Sequence, residues 1–494
     1  MLDLVKNDAA LSCSLAYHCT VNEAESVHRM KEETSKKELF ETMPVGKALM
    51  TMAIPTIISQ LVNLIYNMVD TIFIGQSGDA YKTAAVTLVF TIFMMTISFG
   101  NLFGVGGGSL MARLSGSHQE KQAKSVCAFS YWGAVSIAVL YSLLIWLFMD
   151  PILKFLGASS NTMEFCRQYV FYVVILGDVP MIASGAGAHL LRNTGYSKEA
   201  GFGLTIGGLL NIVLDPLFMF VLLPKGNEVA GAAIATLLSN VVSFVYITWK
   251  LARLSSSSVL SINPAEIRLI RKEDINSVFS VGVPSALLTG LFDAANMVLN
   301  SLMAGHGDLQ LAAVGIVMKA ERLPNAINVG IGQAMLPIVA YNYASGNHGR
   351  LNAVINKARV WGYSISAVTI VLYEVFAHPV CSIFLSTSNG AAEATQTIAY
   401  AEAFLRIRCL ASPFQFTNFN TSFCMQAVGY GSGTLLHSFM REIVFYIPFM
   451  FLLNAAFGQT GLVSAVVLGE FCGGVFALLL FRRWKKKNLS FAMQ

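Results

Sequence analysis

The chain has 494 residues, of which 55% are hydrophobic and only 12% are charged, and its formal net charge is +5. A soluble protein of this length would carry about twice that charged fraction, so the composition excludes an ordinary soluble domain. Apolar runs of about twenty residues, long enough to cross a bilayer, recur along the whole sequence. They are too long for transmembrane strands and lack the alternation of strands. The sequence therefore predicts an all-α polytopic membrane protein.

Twelve transmembrane helices are predicted in chain order, six in each half. The first six lie near residues 48–76, 83–112, 126–149, 165–191, 200–224 and 229–250. The second six lie near residues 276–305, 309–343, 358–384, 394–428, 432–457 and 460–481. The predicted organisation is a cytoplasmic tail at 1–44, a six-helix bundle at 45–252, a cytoplasmic linker at 253–275, a second six-helix bundle at 276–484 and a basic cytoplasmic tail at 485–494. The first tail is mixed and polar and resembles neither a span nor a signal peptide, so we expect it to lack stable structure.

Lysine and arginine predict the orientation of the spans. The even-numbered loops and the carboxyl-terminal tail hold 18 of these residues, whereas the odd-numbered loops hold 3. Because positively charged loops stay on the cytoplasmic side, both termini should be cytoplasmic. The net charge is thus explained by topology, and we expect no nucleic-acid partner.

The two halves of the sequence resemble each other. An offset of 229 aligns Pro55 with Pro284 and continues without a gap to Asp79 and Asp308. Each repeat holds an even number of spans, so both start on the same side of the membrane and should be related by a pseudo-twofold axis along its normal. Two bundles that face each other favour a transporter that works by alternating access.

Acidic residues inside the predicted spans are the first candidates for function, because a charge in the bilayer is costly and usually has a role. Asp70 is the only charged residue from Ala48 to Ser77, and Asp215 lies in the fifth span. Both should lie at similar depth, as should Thr236 in the sixth span. Asn211 shares a helix face with Asp215 through the i, i+4 spacing. Two carboxylates with amide and hydroxyl groups at one depth predict a cation or proton site; the simpler alternative is that Asp70 caps a helix near the surface.

Several stretches together resemble the multidrug and toxic compound extrusion (MATE) family, in its DinF-like branch. They are IPTIISQLVNLIYNMVDTIFIGQSGD at 54–79, LFGVGGGSLMARLSG at 102–116, LLNIVLDPLFMF at 209–220, GAAIAT at 231–236 and LAAVGIVMKAERLPNAINVGIGQ at 311–333. The resemblance implies a MATE-like fold of two six-helix bundles and an antiporter that exports cationic amphipathic compounds in exchange for H⁺ or Na⁺. It also implies a coupling site in the first bundle. The matching residues are Tyr66, Asp70, Asn211, Asp215 and Thr236.

Further charged residues in the spans are candidates for the substrate cavity. Asp293 is nearest to the position where some relatives in the family carry a coupling acid in the seventh span. Asp178 is mid-span, and a run in the eighth span forms either part of the cavity or a local ion-paired cluster: Lys319, Glu321 and Arg322. Pro216 directly follows Asp215 and frees a backbone carbonyl, so we predict a hinge there.

These patterns lead to expectations about partners and leave alternatives open. We expect small cationic substrates, a monomer in the plasma (inner) membrane, no nucleotide, no cofactor other than the coupling ion, and no metal beyond a Na⁺ at the coupling site. A lipid-linked saccharide flippase of the same superfamily is the alternative, because four basic residues could form a cationic cavity: Lys319, Arg322, Arg406 and Arg408. The acids of the first half argue against it. An intramembrane enzyme is disfavoured, because the sequence lacks a metal-spaced His pair and a Ser-Lys or paired-Asp motif.

Overall fold

The computed structural model describes residues 37–76, 79–256, 258–384 and 391–489. Within these ranges the chain is helical and contains no β-strand. The spans of the first half are α1 Val45–Gln76, α2 Ala80–Gly116, α3 Glu120–Leu147, α4 Met163–Val170 with Phe171–Leu176 and Asp178–Asn193, α5 Ser197–Pro216 with Leu217–Leu222, and α6 Glu228–Leu254. The spans of the second half are α7 Lys272–Ala304, α8 Asp308–Ala344, α9 His348–Val375, α10 Ala391–Cys409 with Ser412–Ala427, α11 Gly431–Phe439 with Met440–Tyr446 and residues 447–457, and α12 at 459–489.

Most of these helices have the length and composition of membrane spans, α9 and α10 being the exceptions. Eight helical segments of the described chain pass a test of length and apolarity, or nine if the two bent pieces of α4 count as one span. One of the eight runs from Gly431 to Leu489 and contains both α11 and α12, which are separated by a kink at Gly458, where φ is +60°. The predicted all-α polytopic membrane fold is confirmed.

Two helices of the first half are interrupted inside the membrane. α4 widens into a π-helix at Phe171–Leu176 and then bends by 49° before Asp178. α5 ends its regular part at Pro216, and a π-helix follows at Leu217–Leu222. Proline has no N–H to donate, and π-helical turns of this kind are frequent at functional sites. The predicted hinge at Pro216 therefore coincides with a change of helix type.

Two of the three segments predicted to lie outside the bundles, the first tail and the linker, are ordered in part and pack on the helices. Residues 37–41 are helical, and Phe40 is buried and stacks on Tyr341 of α8 with ring centroids 5.1 Å apart. The expectation that 1–44 lacks structure was therefore wrong for residues 37–44, because an apolar pair, Leu39 and Phe40, fills a gap against the second half; residues 1–36 lie outside the described residues. The linker also packs on α3, where Trp132 Nε1 donates to the Ile262 carbonyl at 2.8 Å.

The two halves touch along the end of the bundle that the charge pattern predicts to be cytoplasmic. Glycines permit this close approach. A β-carbon at Gly282 of α7 would lie 2.1 Å from the Leu102 carbonyl oxygen of α2. A β-carbon at Gly116 of α2 would lie 2.3 Å from the Tyr341 carbonyl oxygen of α8. Polar bonds add to it, since Ser109 Oγ donates to the Gln426 carbonyl at 2.5 Å. Small residues let transmembrane helices pack backbone to backbone, so this end is closed.

Candidate functional site

A cavity of about 420 Å³ lies between the two halves and is lined by both. Seven of the residues predicted from the sequence face it: Tyr66, Asp70, Thr236, Asp293, Glu321, Arg322 and Arg408. On α1 and α2 the lining residues fall at 60–70 and 86–97, whereas the contacts with the other half fall at 57–60 and 102–116. On α7 and α8 too, the lining residues lie nearer the predicted external end than the contacts with the other half do. The cavity therefore lies toward the end that the charge pattern predicts to be external.

A buried polar group lies behind the cavity wall in the first half. Asn211 Nδ2 donates to Asp215 Oδ1 at 3.0 Å and approaches Thr236 Oγ1 at 3.4 Å. Asp215 is fully buried, and Thr236 alone of the three lines the cavity. The structure thus joins the three residues into one group that reaches the cavity through the threonine hydroxyl.

Close packing of α5 holds this group in place. A β-carbon at Gly208 would lie 3.1 Å from Tyr66 Cδ1 of α1, and one at Gly207 would lie 2.0 Å from Ser243 Oγ of α6. An added β-carbon would crowd both neighbours, so α5 lies directly against them. Asn211 follows one turn after these glycines, and Asp215 one turn later, on the same face.

Three oxygen atoms of this region have no hydrogen-bond partner among the described residues. They are Asp70 Oδ1, Asp215 Oδ2 and Asn211 Oδ1, and each atom is buried. Leaving buried acceptors unsatisfied is costly, because they lose their bonds to water. A proton or a small cation would supply what they lack. The described residues include no group of three or more His, Cys, Asp or Glu side chains suited to a metal ion, so any ion here would be held by a mixed set of oxygens.

The charged residues of the second half are largely paired with one another. Arg408 donates to both carboxylate oxygens of Glu321, at 2.9 and 2.8 Å, and Arg441 donates to both oxygens of Glu470, at 3.0 and 2.5 Å. Glu321, Arg408 and Glu470 face the cavity. Glu321 and Arg408 balance each other, whereas Glu470 shares Arg441 with the buried Glu442. The alternative of an ion-paired cluster local to the eighth span was therefore wrong for Glu321, whose partner comes from α10.

Two predicted cavity residues are not brought into the cavity. Asp178 is fully buried away from it, and its carboxylate accepts from Thr96 Oγ1 at 2.8 Å and from Ser142 Oγ at 3.3 Å. The bend of α4 directs it into the bundle of the first half. Lys319 lies on the exposed face of α8 and is absent from the cavity lining, because it lies about 200° around the helix from Glu321.

Sequence reasoning missed part of the lining. Aromatic side chains cover much of the cavity wall, and Gln60 Nε2 donates to Gln333 Oε1 at 3.1 Å across the boundary between the halves. The aromatic residues of the lining are Tyr66, Phe90, Phe93, Tyr169, Phe292, Phe419 and Tyr446. Polar glutamines within apolar spans were a usable signal, whereas phenylalanines are too common in this sequence to point to a site.

Comparison with known proteins assigns the chain to a family. The family model MatE matches residues 55–217 and 284–452, which together cover more than half of the chain. Both matches begin at the prolines that the internal repeat aligns. The chain therefore belongs to the MatE family, whose members are transporters rather than enzymes.

Individual relatives agree with this assignment. The multidrug export protein MepA of Staphylococcus aureus (strain MRSA252) is 28% identical over 450 residues, covering 89% of this chain and 94% of that protein. MepA of Staphylococcus saprophyticus is 29% identical over 441 residues, with the same coverage. A crystal structure of MATE in complex with MaL6 superposes with a TM-score of 0.85 at 24% identity, covering 93% of this chain and 99% of that one. An outward-facing multidrug resistance MATE family transporter of the MOP superfamily superposes with a TM-score of 0.83 at 24% identity, covering 92% and 98%.

Proposed function

We propose that this member of the MatE family is a secondary active multidrug exporter that carries cationic amphipathic compounds out of the cell in exchange for H⁺ or Na⁺. The observation that carries the proposal is Asp70, which faces an aromatic cavity shared by both halves and has a buried oxygen without a partner. The relatives named as multidrug export proteins support the same class of cargo.

The charges of the cavity favour a cation over an anion. Glu321 and Glu470 are each matched by a buried arginine, and Arg322 and Asp293 lie on adjacent helices of the same half. Asp70 has no ion-pair partner among the described residues, so its carboxylate gives the cavity an unbalanced negative charge. Aromatic faces nearby add attraction for a cation and for the apolar body of an amphipathic compound.

Coupling follows if cargo and ion compete for the same charge. Asp215 lies behind the wall and is connected to the cavity by Asn211 and Thr236. A proton or a sodium ion that enters from the external side would neutralise the carboxylates and release the cationic cargo. Pro216 and the π-helix after it would then let the outer end of α5 move as the cavity closes. Alternating access would follow from parting of the glycine-rich contact at the opposite end.

The test is transport by purified protein in liposomes, with a fluorescent cation as cargo and with a pH gradient or a sodium gradient imposed separately. One gradient should drive uptake and the other should not, which identifies the coupling ion. Asp70→Asn and Asp215→Asn should each abolish gradient-driven transport, and the double variant should be little worse, because residues that act as one unit are not additive. Asp178→Asn serves as the matched control, since it removes a buried carboxylate outside the cavity. Transport by Asp70→Asn at the rate of the unmodified protein would refute the proposal.

The paired arginines count against a lipid-linked saccharide flippase. Such a protein needs net positive charge for a pyrophosphate, yet Arg408 is balanced by Glu321, while Lys319 and Arg406 are exposed and lie outside the lining. Of the four basic residues predicted for a cationic cavity, only Arg322 remains a candidate for binding a pyrophosphate. Arg322→Gln should therefore leave export of a cation in place.

We also propose that the protein is a monomer in the plasma membrane with both termini in the cytoplasm. The 18-to-3 bias of lysine and arginine supports this orientation. In a variant without native cysteines, a cysteine at Ser256 in the linker should resist a membrane-impermeant thiol reagent in intact cells. Rapid labelling there would show that the orientation is the reverse of the one proposed.

A further inference from the structure

A second groove, separate from the central cavity, opens where the first turns of α1 and α5 meet α9. It has a volume of about 530 Å³ and receives residues from both halves of the chain. Three lysines line it: Lys47, Lys198 and Lys357. Among the residues that the structure describes, no acidic side chain lines the groove. The transport mechanism uses none of the three.

The three lysines gather at one end of the groove. Lys47 is the third residue of α1 and Lys198 is the second of α5, so both lie at the predicted cytoplasmic surface. Lys357 lies nine residues after the start of α9 and so is deeper than the other two. Its side chain extends toward them, because a β-carbon at Gly46 would lie 3.5 Å from Lys357 Cε. All three are exposed, and no ion pair joins any of them to another described residue.

The other end of the groove is apolar. Met50 and Ile54 follow Lys47 by three and seven residues, so they share its face of α1, and they are 49% and 52% exposed. Trp361 follows Lys357 by four residues and lines the groove from α9. Seven residues of helix span about 10 Å, so the groove passes from a charged end to an apolar end over the depth of a lipid headgroup and upper acyl chain.

We propose that this groove binds one anionic phospholipid, with its phosphate among the three lysines and its acyl chains along Met50, Ile54 and Trp361. The charge complementarity selects an anionic headgroup, and the apolar wall selects a lipid over a free phosphate. Because the lysines come from both halves, the lipid bridges the halves at their closed end. The proposal does not depend on what the protein transports.

Quenching of tryptophan fluorescence tests the proposal directly. The full chain is placed in phosphatidylcholine nanodiscs, and phosphatidylglycerol or phosphatidylcholine with brominated acyl chains is titrated in. The contribution of Trp361 is isolated by subtracting the signal of Trp361→Phe. Brominated phosphatidylglycerol should quench Trp361 at a low mole fraction, whereas brominated phosphatidylcholine should quench it only in proportion to its share of the bilayer.

Charge variants decide whether the lysines form the site. A lysine near an anionic lipid surface contributes about 1 kcal/mol, which is about fivefold in affinity. Substituting Gln at Lys47, Lys198 and Lys357 together should therefore weaken the preference for phosphatidylglycerol by at least tenfold. The matched control removes three other exposed basic residues from the same predicted side and should retain the preference: Lys121, Arg268 and Arg482.

Three results would overturn the proposal. Equal quenching by both lipids would mean that the groove holds only the ordinary lipid belt. Loss of quenching on adding millimolar inorganic phosphate would identify a free anion as the occupant. Quenching that appears only after residues 1–29 are removed would mean that the chain's own amino-terminal segment covers the groove.

Discussion

Gly282→Ala should weaken the closed contact between the two halves. Gly282 lies on α7 where that helix crosses α2, and an added β-carbon would lie 2.1 Å from the Leu102 carbonyl oxygen and 2.9 Å from its carbon. Both are backbone atoms, so no side chain can rotate away. The helices must part by about 1 Å to restore ordinary contact.

The expected size of the effect follows from the cost of overpacking. Inserting a methyl group into a well-packed contact costs typically about 1–3 kcal/mol. That strain is present only when the halves are closed, so it shifts the equilibrium toward opening by about 5- to 150-fold. Gly290→Ala is the matched control, because it lies on the same helix and nothing lies within 4 Å of its added β-carbon.

Alkylation of a buried cysteine measures the shift. In a variant without native cysteines, Ala112→Cys places a thiol in the apolar cluster between the halves, where Ala112 is 2% exposed. A water-soluble maleimide should label it 5- to 150-fold faster with Gly282→Ala than with Gly290→Ala, because labelling requires opening. Rates that agree within twofold would show that the helices absorb the methyl group without parting, and the argument from backbone contact would fail.

Three further outcomes follow from individual contacts. Arg408→Met alone should destabilise the protein by about 3–5 kcal/mol in thermal unfolding, because it leaves the buried Glu321 carboxylate without a partner. Adding Glu321→Met should recover most of the lost stability, and failure to recover it would contradict the pairing. Gly458→Ala should cost about 1–3 kcal/mol, since φ of +60° with ψ of −141° is a backbone conformation that essentially only glycine adopts. Gly185→Ala, in open helical space, should not destabilise the protein, and equal stabilities of the two variants would rule out the strain. Asp178→Asn should keep at least half of the transport rate, because the amide oxygen can still accept from Thr96 Oγ1. The amide nitrogen can donate to Ser142 Oγ, which has the Val174 carbonyl at 3.2 Å as its own acceptor. A complete loss would assign Asp178 an ionic role.

The sequence alone determined which segments cross the membrane and which residues are unusual there. Spans are a local property, because about twenty apolar residues suffice to cross a bilayer whatever their neighbours are. Asp70, Asn211, Asp215 and Thr236 stood out for the same reason, since polar groups are rare in such segments. Their i, i+4 spacing predicted that Asn211 and Asp215 share a face, and they are hydrogen-bonded at 3.0 Å.

The tertiary structure decided which polar residues meet. Glu321 and Arg408 are 87 residues apart, and neither belongs to the other's local pattern, so only the packing of α8 against α10 joins them. It also placed Asp178 inside a bundle and Lys319 on an outer face, although both were predicted for the cavity. In a soluble helix the apolar face marks the core, but in a membrane both the lipid face and the core face are apolar. The sequence of such a helix therefore does not show which way it is turned, and that rotation decides whether a charge meets lipid, a cavity or a partner.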